Sequence, residues 1–227
     1  MNRKGTGFTL VELMLAMAFL SMLLLAIAMC VIQMSTIYAR GETLRQVNQS
    51  SRVVATDFRR TFADAQVSAV NIHQAQSHQR ICTGQYTYVW TTAQTAADPA
   101  SANRYTDSGV GEIRLVRIVD MGGQYCRDGS HTPSMHTPID AATASPIELL
   151  EEGDRSLRVR NLSIEEAGKG DVTGQRLYVI RLLLGTDNTE AIDATTDTCI
   201  AGTDVATSDI NYCAVNEVTL TVRAGMR

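Results

Sequence analysis

The 227 residues carry 20 Lys and Arg against 24 Asp and Glu, a formal charge of −4. No basic run stands out, which argues against a broad phosphate-binding face, and no nucleic-acid partner is expected. Aromatic residues make up only 5%, and no Gly-x-Ser-x-Gly elbow, phosphate loop or dinucleotide fingerprint occurs, so neither catalysis nor an organic cofactor is expected.

From Leu13 to Ile32 the chain reads LMLAMAFLSMLLLAIAMCVI, with Ser21 as its polar side chain. About twenty apolar residues in a helix span a bilayer core. Arg3 and Lys4 precede the run and Arg40 follows it, an asymmetry that keeps the short N-terminus cytoplasmic and exports the rest. Three readings compete. One is a plain anchor. Another is a secretory signal cut after Ala28, since Ala26-Ile27-Ala28 fits the small-x-small pattern; that would release a soluble binding protein. A lipoprotein signal ending at Cys30 fits less well, because Met29 is bulky. The third reading turns on Glu12. A carboxylate in a membrane helix costs on the order of 2.5–3.5 kcal/mol at the centre, and a signal or anchor has no use for it. If the chain is cut after Gly7, Phe8 carries a new amine at i,i+4 from Glu12, able to neutralise it within a subunit or between neighbours.

Those residues carry a resemblance. Lys4-Gly5-Thr6-Gly7-Phe8-Thr9-Leu10-Val11-Glu12-Leu13 resembles the class III signal of type IV prepilins. The resemblance implies a leader over residues 1–7, a transmembrane and assembly half of the first helix over 8–39, and an extracytoplasmic ectodomain over 40–227. Gly7 would precede the cut, Phe8 would be the N-methylated terminus, and Glu12 would guide assembly. The implied partners are a prepilin peptidase, an inner-membrane assembly platform and other pilin subunits. The chain would wait as a single-pass protein of the cytoplasmic membrane. It would then enter a surface pilus or a periplasmic pseudopilus serving adhesion, motility, secretion or DNA uptake. Losing Arg3 and Lys4, two of the 20 basic residues, takes the charge from −4 to −6. Major pilins often carry a Pro where this chain has Met29, and no Pro precedes Pro99; the helix is expected to stay unbroken, or the subunit to occupy a special place such as a tip.

Beyond the membrane run, Leu44, Val47, Ser51, Val54, Phe58, Thr61 or Phe62, and Ala65 recur at three and four, an apolar stripe on one helical face. Arg45, Gln49, Arg52, Arg59 and Arg60 lie opposite. The helix is expected to end near Val70 to His73, giving roughly 90 Å from Thr9, with Gly41 a weak point. Alternation predicts strands in QYTYVWTT, with Tyr86, Tyr88 and Trp90 on one face, and in EIRLVRIV. Further strands are predicted over Leu157 to Ile164, Leu177 to Leu184 and Val218 to Val222. Ser145-Pro146-Ile147-Glu148 reads as the start of a short helix. The polar stretches Thr91 to Gly109, Gly122 to Ala144 and Thr186 to Asn211 read as loops, the first two mobile. The fold class is α+β: one long helix laid on an antiparallel sheet.

Cys30 lies in the apolar run, whereas Cys82, Cys126, Cys199 and Cys213 all lie in the part to be exported, as an oxidising compartment permits. Four cysteines allow three pairings and the sequence does not choose. Cys199–Cys213 with Cys82–Cys126 is favoured, since the first closes a short loop and leaves the others as partners. No metal is expected. His73 and His78, and His131 and His136, are spaced by five rather than the four that aligns ligands on a helix. Asp187, Asp193, Asp197, Asp204 and Asp209 are scattered, without the Asp-x-Asp-x-Asp-Gly pattern of a calcium loop. The order of VVATDFRRTFADA, YTYVW, IELLEEG, LRVRNLSIEEAG, LYVIRLLLG and EVTLTVR is similar to that in W-type minor pilins and J-type minor pseudopilins.

Overall fold

An α-helix, α1, runs without a break from Leu10 to Asp64, about 82 Å at 1.5 Å per residue. The computed structural model describes residues 9–75, 78–92, 112–126, 139–150, 156–169, 174–188, 191–193, 195–200 and 212–225. With no Pro in the run, nothing removes an i→i−4 bond, and α1 passes through Gly41 intact.

The helix stops before the expected Val70 to His73. At Ala65 the backbone turns extended (φ −76°, ψ 139°) and its N–H bonds back to the Phe62 carbonyl. A single 3-10 turn, Val67–Ala69, follows. Ala65 and Val70 are buried, so the apolar spacing ran on after the helical hydrogen bonds had ended. The chain then enters a hairpin of β1 (Asn71–Ala75) and β2 (His78–Cys82). Its register runs from Asn71↔Cys82 to Ala75↔His78.

β3 (Tyr86–Trp90), β4 (Leu115–Val119) and β5 (Ile147–Glu148) complete a five-stranded antiparallel sheet in the order β1-β2-β3-β4-β5. Gly84, at φ +87° with Ala69 Cβ 2.7 Å from where its own Cβ would sit, makes the β2–β3 turn. The helix expected to start at Ser145 is absent. Instead, a one-turn helix α2 (Ala141–Ala144) precedes it, capped by the Asp140 side chain and closed by Ser145 in the left-handed region. Ile147 and Glu148 pair with Arg117 and Val116 of β4. The Glu148 carboxylate accepts the N–H of Leu115 at 2.9 Å and of Leu150 at 3.3 Å. The bond to Leu115, across the sheet, takes the place of the local capping box, because a buried N–H without a partner is costly.

A second sheet has the order β10-β7-β6, with β6 (Leu157–Lys169), β7 (Arg176–Thr186) and β10 (Val215–Ala224). All three strands are longer than the alternation in the sequence implied. A small ribbon of β8 (Ile192–Asp193) and β9 (Thr198–Cys199) lies within the third polar stretch. The expected loops over Thr91 to Gly109 and Gly122 to Ala144 fall largely outside the described residues.

The principal core is a sandwich. Val47, Val54, Phe58, Phe62 and Ala65 of α1 meet Tyr178, Ile180, Leu182, Leu220 and Val222 of the second sheet and Ile81, Tyr88, Trp90 and Leu115 of the first. Phe58 packs edge-on against Tyr88 with centroids 4.7 Å apart, and Phe62 against Tyr178 at 5.7 Å. Each fully buried side chain of this size contributes about 1.5–3 kcal/mol. The other face of the five-stranded sheet has its own cluster of Val89, Ile113, Val116, Ile118 and Ile139. The architecture is thus α+β, a long helix on antiparallel sheets, compatible with that of type IV pilins.

Candidate functional site

Among the described residues, nothing packs on the first half of α1. Leu10, Met14, Phe19, Leu23, Ile27, Val31 and Tyr38 are all at least half exposed, and the helix is long and apolar enough, near the N-terminus, to cross a membrane. Exposure of an all-round apolar helix is stable only in lipid or against other helices. Ser21 satisfies its hydroxyl internally on the Met17 carbonyl at 2.8 Å, so it adds little cost in hydrocarbon.

Glu12 lies in the first turn of this segment. Its carboxylate accepts the Thr9 N–H at 3.0 Å and the Thr9 hydroxyl at 2.8 Å, and the Thr9 hydroxyl accepts the Glu12 N–H at 3.3 Å. Such a box holds the side chain back along the helix towards its N-terminus, where the dipole favours negative charge. Gly7 and Phe8 lie outside the described residues.

The second half of α1 is tied to the ectodomain by polar contacts as well as by its apolar face. Asp57 forms an ion pair with Arg117 of β4 and accepts the Tyr88 hydroxyl at 2.7 Å. Tyr88 also bonds Thr61 at 2.6 Å. Burial pushes the Tyr88 phenol well above its ordinary range. Arg117 lies over the Tyr86 ring at 5.0 Å.

A second polar centre was not visible in the sequence. Arg158 and Arg160, which alternation would aim at solvent, are both buried. The register shift between Val159 and Asn161 makes Arg160 the extra residue of a bulge, and a bulge re-aims side chains. Arg158 bonds Asp187 at 2.8 Å and Glu112 at 2.7 Å. Burial alone would lower the Arg158 pKa, but these carboxylates outweigh it and hold it above the ordinary value. Asp187 therefore serves this pair rather than a solvated loop. Arg160 donates to the Thr186 carbonyl at 2.5 Å. Arg80 is buried too and donates to the Tyr125 carbonyl at 2.9 Å. Burial pushes its pKa down to about 10 against the pull of Asp120.

Disulfides join Cys82 to Cys126 and Cys199 to Cys213, with Cα atoms 5.9 and 5.8 Å apart, inside the range a bridge requires. Cys30 is free and exposed in the apolar run. A cleft of about 260 Å³ opens beside the first bridge. Its one carboxylate, Asp120, already accepts from Thr87, Gln124 and Tyr125. His73 and His78 take strand positions in β1 and β2, while His131, His136, Asp204 and Asp209 lie outside the described residues. Among the described residues no group of three His, Cys, Asp or Glu could hold a metal ion. Asp193 instead accepts the Thr195 N–H at 2.8 Å. No protein-family model, curated protein or solved structure matches the chain.

Proposed function

We propose that this chain is a minor pilin or pseudopilin, processed after Gly7 by a prepilin peptidase, methylated at Phe8, and drawn by an inner-membrane platform into a filament of related subunits. The observation that carries this reading is the division of one unbroken helix. Its first half exposes every apolar side chain, while its second half is the spine of a disulfide-bonded ectodomain. A helix that needed only to anchor the chain has no need to continue as the core of the folded domain.

Glu12 supplies the second element. Its carboxylate is turned towards Thr9 N, the atom one residue from Phe8, so cleavage brings a positive amine to a negative charge already in place. Apolar burial is a weak drive between helices in lipid, and the ion pair would therefore set register. Release after Ala28 fits less well, because it would leave Met29, Val31, Ile32 and Met34, all exposed, as an apolar stub on a soluble protein. The test is Glu12→Ala in cells that assemble the filament. Cleavage is expected to proceed while the variant accumulates in the membrane; filament entry at the wild-type level would overturn the role given to Glu12.

A further inference from the structure

The Cys82–Cys126 bridge ties the last residue of β2 to a turn that has its own supports. Asp120, just after β4, organises residues 120–126. Its carboxylate accepts the Gln124 N–H at 2.7 Å, the Tyr125 N–H at 3.0 Å and the Thr87 hydroxyl at 2.9 Å. Its own N–H bonds the Gln85 carbonyl at 2.8 Å, and its carbonyl accepts the Gly123 N–H at 3.0 Å. Arg80, buried on β2, donates to the Tyr125 carbonyl beside Cys126. Opening the bridge therefore leaves the turn seated and Cys126 against Cys82, ready to close again. The entropy that a bridge removes belongs to the unfolded chain, so the folded turn does not need it.

The two sulfurs are not equivalent. Cys82 is 2% exposed, whereas Cys126 is half-buried. Both line the cleft of about 260 Å³, together with Ala69, Gly84, Gly122 and Gly123, which put little side chain in the way of an entering thiol. The other bridge has different surroundings. Cys199 and Cys213 pack with Ala191, Ile192 and Val215, an apolar setting in which a thiolate forms poorly.

We propose that Cys126 is the sulfur through which the folded chain exchanges with a dithiol–disulfide oxidoreductase entering the cleft, while Cys82 closes or opens the bridge from behind. In closure, the Cys126 thiolate attacks the catalyst's disulfide, and one catalyst sulfur leaves as a thiolate. The Cys82 thiolate then attacks Cys126 Sγ and expels the second catalyst sulfur. The chain gives up two electrons and two protons, and the catalyst takes both as a dithiol. Opening follows the same path in reverse, beginning with attack of a catalyst thiolate on Cys126 Sγ. This exchange belongs to the folded ectodomain and does not depend on the pilin reading.

The test uses the folded full chain in detergent micelles in a Cys30→Ala background, with 2-mercaptoethanol as a neutral monothiol. Samples are quenched with acid, alkylated in denaturant and mapped by peptide mass. The expected product carries the thiol adduct on Cys126 and the alkyl group on Cys82, formed about tenfold faster than any adduct at Cys199 or Cys213. Two substitutions narrow the cleft without touching the core. One is Gly122→Phe, where a Cβ meets nothing within 4 Å; the other is Asn71→Phe, at an exposed residue of the cleft lining. Each should slow the adduct at Cys126 about three- to tenfold and leave Cys199–Cys213 unaffected. Circular dichroism is expected to keep its folded spectrum after the bridge opens. An adduct on Cys82, adducts shared evenly between the two sulfurs, or earlier opening of Cys199–Cys213 overturns the proposal. So does a rate indifferent to both substitutions, or loss of the folded spectrum on opening. Cleavage after Gly7, read on the same samples by mass, is independent of these outcomes and reports on the functional reading alone.

Discussion

Glu148 is a carboxylate committed to backbone work, and burial raises its pKa above the ordinary value of 4.5 against the pull of the Leu115, Leu150 and Arg114 N–H groups. The folded form therefore takes up a proton before the unfolded chain does. Its contribution is complete below about pH 4.5 and is lost as pH rises through the folded-state value. Glu148→Gln keeps an oxygen for Leu115 but has no charge to desolvate. Urea midpoints measured at about pH 4 and pH 7 should thus fall with rising pH more in the wild type than in this variant; parallel changes would show that Glu148 does not set the dependence. Arg158 is the opposite case, a buried cation whose two partners depend on it. Arg158→Met strands Asp187 and Glu112 and should cost about 2–3 kcal/mol, below the 3–5 of a fully buried pair because both carboxylates reach solvent. A variant within a few tenths of the wild type by chemical denaturation would contradict that. Neither residue was legible beforehand. In LRVRN the arginines alternate with apolar neighbours as a solvent face does, and only the bulge and the distant Asp187 show otherwise.

Among the elements, α1 was the most legible, because a stripe at three and four needs only the helix to explain it. Val47, Ser51, Val54, Phe58 and Phe62 are buried as that spacing requires. Leu44 shares the stripe yet is 42% exposed, since the sheets cover the helix there only on the side of Thr43 and Val47. Phe58→Ala should accordingly cost about 3–5 kcal/mol, while Leu44→Ala stays within about 0.5 kcal/mol; similar losses at both would mean that the helix is wrapped more fully than described. The β1–β2 hairpin was missed because NIHQA and HQRIC each carry a single Ile among mostly polar residues, too few to show a period of two; Ile81 is buried in the core and Ile72 packs against it. The disulfides make a further comparison by loop length. The Cys199–Cys213 bridge closes a separation of 14 and Cys82–Cys126 one of 44. Removing the first as a Ser pair should cost about 3 kcal/mol and the second about 4, an order that thermal unfolding of the two variants checks.

At the scale of the whole molecule, one helix divides in two: its first half is exposed and apolar enough to cross a membrane, and its second half is covered by its own sheets. Long-range pairing of α1 with β10, at the far end of the chain, closes the ectodomain, and the Gly225 N–H bond to the Ala65 carbonyl at 2.9 Å fastens that end to the foot of the helix. Without the exposed first half the ectodomain has no reason to carry so long a spine. The decisive measurement is the mass and sequence of the N-terminus of the protein isolated from its native membrane. A chain beginning at N-methylated Phe8 is the predicted result. A chain that retains its first seven residues, or begins at Met29, would contradict the account.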